Sequence, residues 1–523
     1  MPRREVPTRP VPGDVVAGVS VGVVLIPQAV AYASLAGLPA STGLLAAFAA
    51  PIAAAFFASS PYLATGPVAI TSLLTLGGLT GLAASGSADY IALAALLALF
   101  VGVVRLVLGV TGGGVLAYLM SQPVLSAFTA AAALLIVFSQ VPSAVGVPAV
   151  SNRPGQAAFD ALVSPSDWTP SAVVLTLVTI AAMLLVRRLP ATFPVVPLLV
   201  VAAVVLASTT DLGGPTVGAT DVAGVPNPLS LPWGDSLQLV VPALVIALVG
   251  FAEPAAISRR LAAEDRQHWS ADRELVSQGV ANLASGFAGG YPVGGSFSRS
   301  TLNRLAGART RWSGLVAGVI VLAFLPFAGL LDNLPLSVLA GIVIASVLRL
   351  VDPRPVLRFW AMGRVQFATA AVTYAATLLL APRLDLAVVL GVVMATLVHL
   401  WRELHLQVPA EYRDGVLHVR PSGVLYFASA PGLEDAVNNL LAEHPGTVRL
   451  RVELEGLGRL DVTGAMALST LLDEVREAGI SAEICEVPPQ LRRIVARVLY
   501  DDLADECRAQ LADEREVGGR DPD

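Results

Sequence analysis

Stretches of about 18 to 20 apolar residues recur from Val15 to about Leu400, and each is the length a helix needs to cross the hydrocarbon core of a bilayer. That recurrence limits the chain to one broad class. With 55% hydrophobic and 14% charged residues and a mean hydropathy of +0.71, the 523-residue chain lies far outside the range of soluble globular domains. No alternating barrel pattern is present, so the expectation is an α-helical polytopic membrane protein. From about Val408 the sequence turns polar and holds both cysteines, Cys485 and Cys507. Two cysteines make no disulfide framework, which places that part on a reducing, cytoplasmic side.

The opening MPRREVPTRPVPGD carries arginines before an apolar run, as a signal peptide does. The run continues through Pro27 and Gln28 without a cleavage-type site, so it reads as a retained first helix. All 33 basic residues are arginine, and the net charge of −6 argues against nucleic-acid binding. Arginines collect in short cytoplasmic loops. Arg3, Arg4 and Arg9, then Arg187 and Arg188, Arg259 and Arg260, Arg304, Arg309 and Arg311, and finally Arg354, Arg358 and Arg364 mark those loops; Arg153 and Arg383 are exceptions. About fourteen spans satisfy the alternation and return the C-terminal part to the cytoplasm.

Two segments make poor continuous helices. SSPYLATGPVAITSLL, 59–74, and YPVGGSFSRSTLN, 291–303, each place Gly and Pro before a short run opening with hydroxyls. Backbone interruptions at membrane depth are tolerated only inside protein or beside a watered cavity, and paired interruptions point to a transporter's central site. Gly66 and Gly295 are 229 positions apart, and Gln28 and Glu253 are 225 apart, offsets that suggest an internal repeat. Seven spans per half make the second half inverted relative to the first. Half-helix N-termini meeting at the midplane offer unpaired N–H groups and partial positive charge, which is an anion site. Ser296 and Ser298 add hydroxyls, Arg299 a full charge, and the glycines let substrate approach the backbone. The bland alternative is small-residue helix packing.

Glu253, in LVIALVGFAEPAAISRR, is a carboxylate inside a span, where insertion costs roughly 2.5 to 3.5 kcal/mol. It is a candidate proton carrier; the competing reading pairs it with Arg259 or Arg260. In IPQAVAY, Gln28 and Tyr32 lie one turn apart on a face that can line a pocket.

GDVVAGVSVGVVLIPQAVAYASLAGLP (13–39), ATGPVAITSLL (64–74) and RELVSQGVANLASGFAGGYPVGGSFSRSTLN (273–303) resemble the signatures of the sulfate permease (SulP) family of anion transporters, and the C-terminal part is similar to its STAS domain. The resemblance implies fourteen spans as two inverted seven-helix repeats forming core and gate domains, plus a cytoplasmic α/β STAS domain. Substrate would sit between the third and tenth spans, completed by the first and eighth. Carried over by residue, it implies substrate binding by Gln28 and Tyr32, by Thr65, Gly66, Pro67 and Val68, and by Gly295, Ser296, Phe297, Ser298 and Arg299, with Glu253 in the proton-coupling position. The sodium-coupled bicarbonate branch tends to carry aspartate there, so the glutamate favours protons over sodium. The resemblance also implies a homodimer in the lipid bilayer. The division is 1–12 N-terminal segment, 13–405 transport domain, 406–510 STAS domain and 511–523 acidic tail. Cation coupling has an energetic reason: moving a divalent anion inward against about 100 mV costs roughly 4.6 kcal/mol.

The STAS part reads independently as α/β. VLHVR, VLYFA, VRLRVEL and ISAEICEV alternate as strands, and AMALSTLLDEVREAG is helical up to Gly479. LDVTG, 460–464, holds the position where related anti-sigma-factor antagonists carry a phosphorylated serine; here Val462 stands after Asp461, leaving Thr463 as the only hydroxyl. The bland reading gives Asp461 and Gly464 a turn-shaping role. His268, His399, His405, His418 and His444 show no metal-ligand spacing, no cofactor motif is visible, and GVTGGGV (109–115) lacks the lysine of a phosphate loop. No enzyme constellation appears. The reading is a secondary active anion transporter, a proton symporter of sulfate, bicarbonate or a dicarboxylate. Alternatives are a sodium-coupled bicarbonate symporter, an exchanger or channel, and an anion sensor; nucleobase carriers usually lack both the STAS part and the SRS run.

Overall fold

The computed structural model describes residues 9–118, 121–185, 193–210, 212–220, 230–404, 406–505 and 507–508. Arg3, Arg4, Arg187, Arg188, His405 and the tail 511–523 lie outside them. The chain divides into two compact units, 1–395 and 396–523.

The first unit is helical, and its element order runs twice through the same series. The first pass is α1 (Pro12–Leu35), α2 (Ala40–Phe57), the three-residue strand β1 (Ala64–Gly66) leading into the short α3 (Ala69–Leu79), α4 (Ala88–Val110), α5 (Gln122–Val145), the short α6 (Pro154–Val163), α7 (Pro170–Leu185) and α8 (Val195–Thr209). The second is α9 (Ser236–Glu264), α10 (Ala271–Phe287), β2 (Gly294–Ser296) leading into α11 (Phe297–Leu305), α12 (Trp312–Phe324), α13 (Leu336–Val347), the short α14 (Arg354–Met362), α15 (Arg364–Leu379) and α16 (Leu384–Leu404). Seven helical stretches among the described residues are long and apolar enough to cross a bilayer.

Packing follows the same duplication. α1 lies against α12 as α9 lies against α4; α2 meets α12 as α10 meets α4; α1 meets α11 as α9 meets α3; and α5 meets α15 as α13 meets α7. Each half therefore completes the other, which is what two related, inverted halves produce. Small residues make the close contacts possible: Gly102 of α4 and Gly279 of α10 approach backbone to backbone. The core is built of Ala, Val and Leu, while many Val, Leu and Phe side chains face outward, as lipid contact requires.

The two interrupted segments become the two short strands, paired antiparallel with Ala64 opposite Ser296, Thr65 opposite Gly295 and Gly66 opposite Gly294. Because the strands run in opposite directions, α3 and α11 leave the ladder from opposite ends. Their N-termini flank the crossing rather than abut.

The second unit is α/β. β3 (Ala410–Arg413), β4 (Val416–Val419), β6 (Arg449–Glu453) and β8 (Ser481–Cys485) form a sheet in the order β3-β4-β6-β8, with the last three parallel; β5 (Gly423–Leu425) pairs with β7 (Leu457–Leu460). α17 (Ala430–Glu443), α18 (Val462–Glu477) and α19 (Arg492–Val498) complete it over one apolar cluster. VLYFA is strand only as far as Leu425; Tyr426 begins a turn fixed by the buried Ser429, whose hydroxyl accepts the Tyr426 N–H at 3.1 Å. β3 and β7 lie outside the strands read from the sequence.

Candidate functional site at the strand crossing

Arg299 is the hub of the crossing. It sits in the first turn of α11, 1% exposed, where Ser296 caps the helix. Its Nη1 donates to Gln28 Oε1 at 2.9 Å and its Nη2 to the Pro67 carbonyl at 2.8 Å; Nε is buried without a partner. Gln28 comes from the middle of α1 and Pro67 from the residue leaving β1, so one guanidinium ties three elements together. Two of its five N–H donors are thus engaged, one on each terminal nitrogen, and the full charge expected of Arg299 is held at the crossing.

The remaining candidates fall into place around it. Gly66 has φ +151°, a region side chains rarely adopt, and a Cβ there would stand 3.6 Å from Arg299 Nη2. Thr65 is buried and its hydroxyl accepts from Gln278 Nε2 at 2.8 Å. Val68, also buried, is the N-cap residue of α3, and its carbonyl receives the Ser72 N–H at 3.0 Å. Ser296 and Ser298 are linked hydroxyl to hydroxyl at 3.3 Å; Ser296 and Gly295 are buried, whereas Ser298 and Phe297 are exposed. Glu253 is half-buried on α9, against the backbone N–H of Phe297 and within electrostatic reach of Arg299. The buried Tyr32 lies within reach of both charges. Arg260 pairs with Glu264 at 3.0 Å.

Three groups escaped the sequence reading. Arg105 of α4 is fully buried and gives Nε to the Ala247 carbonyl at 3.1 Å, Nη2 to Ile246 at 2.9 Å and Nη1 to Val293 at 2.9 Å. α10 carries a buried polar row, Glu274, Gln278, Asn282 and Ser285, at helical spacing. Asn282 clamps Val293, accepting its N–H at 2.9 Å and donating to its carbonyl at 3.2 Å, and Ser285 donates to the Tyr291 carbonyl at 2.7 Å, so α10 fixes the approach to β2. Asp14 joins the start of α1 to the backbone of Arg309 and Thr310 at 2.8 and 2.9 Å. The signal for Arg105 was a lone arginine inside an otherwise apolar helix.

Both the helical part and the α/β part of the chain are matched by known proteins. A family model described as the sulfate permease family covers residues 11–373, and one described as the STAS domain covers 407–513. The chain belongs to the sulfate permease family. It is 31% identical over 529 aligned residues to a probable sulfate transporter of Mycobacterium tuberculosis, covering 96% of this chain and 94% of that protein. The structure of SLC26A9 superposes with a TM-score of 0.83 at 19% identity, over 96% of this chain and 90% of that one. The transmembrane domain of the cyanobacterial bicarbonate transporter BicA gives 0.63 at 23% identity, over 75% of this chain and 98% of its own. At these identities the two structures share the fold. As a member of this family the chain is an anion transporter of the membrane.

In the STAS unit, Asp461 Oδ1 accepts the Gly464 N–H at 2.6 Å and caps α18, with Val462 exposed beside it. The motif shapes a helix start.

Proposed function

We infer that this chain is a secondary active transporter that takes up a small inorganic anion or carboxylate together with protons, by alternating access at the β1–β2 crossing. The observation that carries the reading is the placement of Glu253 beside the first N–H of α11 and within reach of Arg299. A carboxylate there competes with an anion for the same positive field. Protonating it removes the competition, so anion and proton favour each other's binding. Gln28, Tyr32, Thr65, Gly66, Pro67, Val68 and Gly295 to Arg299 form the substrate-binding surface in this reading, and Glu253 carries the proton. The series of elements repeated in each half is read as seven crossings per half, with the N-terminus and the STAS domain in the cytoplasm and the working protein a homodimer.

The test is uptake into proteoliposomes carrying an internal pH dye, with sulfate, bicarbonate, chloride, nitrate, fumarate and succinate added in turn under an imposed proton gradient or an imposed sodium gradient. Anion-dependent acidification without sodium supports the reading. Accumulation that requires sodium, or flux that never runs uphill, overturns it.

A further inference from the structure

The β1–β2 register runs Ala64 to Ser296, Thr65 to Gly295 and Gly66 to Gly294, so the next residues to oppose one another are Pro67 and Val293. Both carbonyls at this end of the ladder are held by buried guanidiniums: Pro67 by Arg299 Nη2 at 2.8 Å and Val293 by Arg105 Nη1 at 2.9 Å. The second guanidinium lies outside every group discussed for substrate. We propose that Arg105 is the second fixed positive charge of the anion site and sets its preference for divalent over monovalent anions. The proposal rests on the anion-transport reading above.

Three observations support it. Arg105 is fully buried and makes no ion pair among the described residues; its three hydrogen bonds all go to backbone carbonyls, which solvate a cation without cancelling its charge. An arginine stays protonated at any physiological pH, so this charge is permanent. It is also built in closely: a Cβ on Gly250, one turn before Glu253 on α9, would stand 2.6 Å from Arg105 Nη2, so glycine at that position is what admits the guanidinium to the helix that bears the carboxylate. With Arg299, two buried guanidiniums then stand at one end of the crossing, where Glu253 of α9 lies against the Phe297 N–H and the buried Glu274 of α10 accepts the Ser60 N–H at 2.7 Å. Protonation of Glu253 raises the positive field at the crossing by one unit, which favours a dianion; ionised Glu253 lowers it by one, which favours a monoanion.

A charge acting through its field has a signature that a structural role lacks. Coulomb energy scales with ligand charge, so losing Arg105 weakens a dianion twice as much, in logarithmic terms, as a monoanion: about threefold for one means about ninefold for the other. The experiment is isothermal titration of the purified full chain with sulfate and with nitrate at constant ionic strength, comparing wild type, Arg105→Gln and Arg105→Lys. The expected result is that Arg105→Gln loses sulfate affinity as the square of its loss for nitrate while Arg105→Lys keeps the wild-type sulfate-to-nitrate ratio. Equal losses for both anions in Arg105→Gln overturn the proposal and make Arg105 purely structural. If Arg105→Gln does not yield folded protein, Arg105→Met, which keeps the chain length without the charge, decides by the same comparison: a squared loss for sulfate supports the proposal, and equal losses overturn it. A wild type that binds neither sulfate nor nitrate overturns this proposal and leaves the transport reading to the proteoliposome assay with the other anions; a wild type that binds both with equal losses in the variant overturns this proposal alone.

Discussion

Arg105 and Arg299 hold the carbonyls of Val293 and Pro67, the two positions that come next in register at one end of the β1–β2 ladder. One guanidinium comes from α4 and the other from α11, so the crossing is clamped by both halves of the chain. A three-residue ladder rich in glycine has little intrinsic stability. Buried side chains supply what the strands lack.

Removing a partner from the clamp is costly. Gln28→Leu leaves Arg299 Nη1 buried without an acceptor, a loss of about 1 to 3 kcal/mol. The expected outcome is a thermal transition several degrees lower in detergent and transport reduced at least about tenfold, read by fluorescence-detected unfolding and radiolabelled anion uptake. Gln28→Glu restores an acceptor and is expected to recover stability more than transport, because its charge opposes the anion.

Gly250→Ala places a methyl 2.6 Å from Arg105 Nη2 and 3.1 Å from Thr71 Cγ2. Overpacking of this kind costs about 1 to 3 kcal/mol. The unfolding midpoint falls accordingly, whereas Gly234→Ala, at a position with open space around it, leaves the midpoint unchanged.

Much of this arrangement was legible in the sequence, because interruptions and buried charges leave local marks. Gly66, Pro67, Gly295 and Arg299 stand out as polar or helix-breaking residues in apolar surroundings, and Glu253 is a carboxylate in a span. What was not legible is who meets whom. Arg105 reaches a carbonyl 188 residues away and Arg299 an amide 271 residues away. Nothing local in a three-residue strand reveals its partner, and a backbone carbonyl acceptor has no residue identity to read. The same reason hid the role of Asn282, although it stands inside the quoted stretch 273–303. In the STAS unit the alternating strands were visible, but β3 is exposed along its length and carries no apolar alternation.

Glu453 links β6 to β4 in the STAS unit, accepting from Arg420 and lying 2.7 Å from His418 Nδ1. Burial alone would push its carboxyl up, but the hydrogen bonds from Arg420 and His418, with their charges, outweigh that and hold it below the ordinary range. A carboxylate depressed in the folded state contributes stability above its unfolded value of about 4.3, and that stability is lost as pH falls through the folded value. Protection against hydrogen exchange across β4 and β6, taken relative to the intrinsic amide rate at each pH, is therefore expected to fall below about pH 4 in wild type. Glu453→Gln should exchange faster at neutral pH and show a flatter acid dependence; an acid limb unchanged by the substitution contradicts this assignment.

Cys485 is 3% exposed, and burial pushes its thiol up to about 12. A thiol so held presents almost no thiolate at neutral pH. Maleimide labelling of the native protein at neutral pH is expected to leave Cys485 unmodified, with reaction appearing only on denaturation; rapid native labelling, mapped by peptide mass spectrometry, contradicts it.

The central claim is that Glu253 couples proton movement to anion movement at the crossing. The direct measurement compares wild type with Glu253→Gln in proteoliposomes under an inward proton gradient, recording anion accumulation and internal acidification together with anion exchange at equal pH. The account predicts that Glu253→Gln still exchanges anion across the membrane but neither accumulates it nor carries protons with it. Accumulation and acidification persisting at the wild-type ratio in the variant would contradict the account and take Glu253 out of the coupling role.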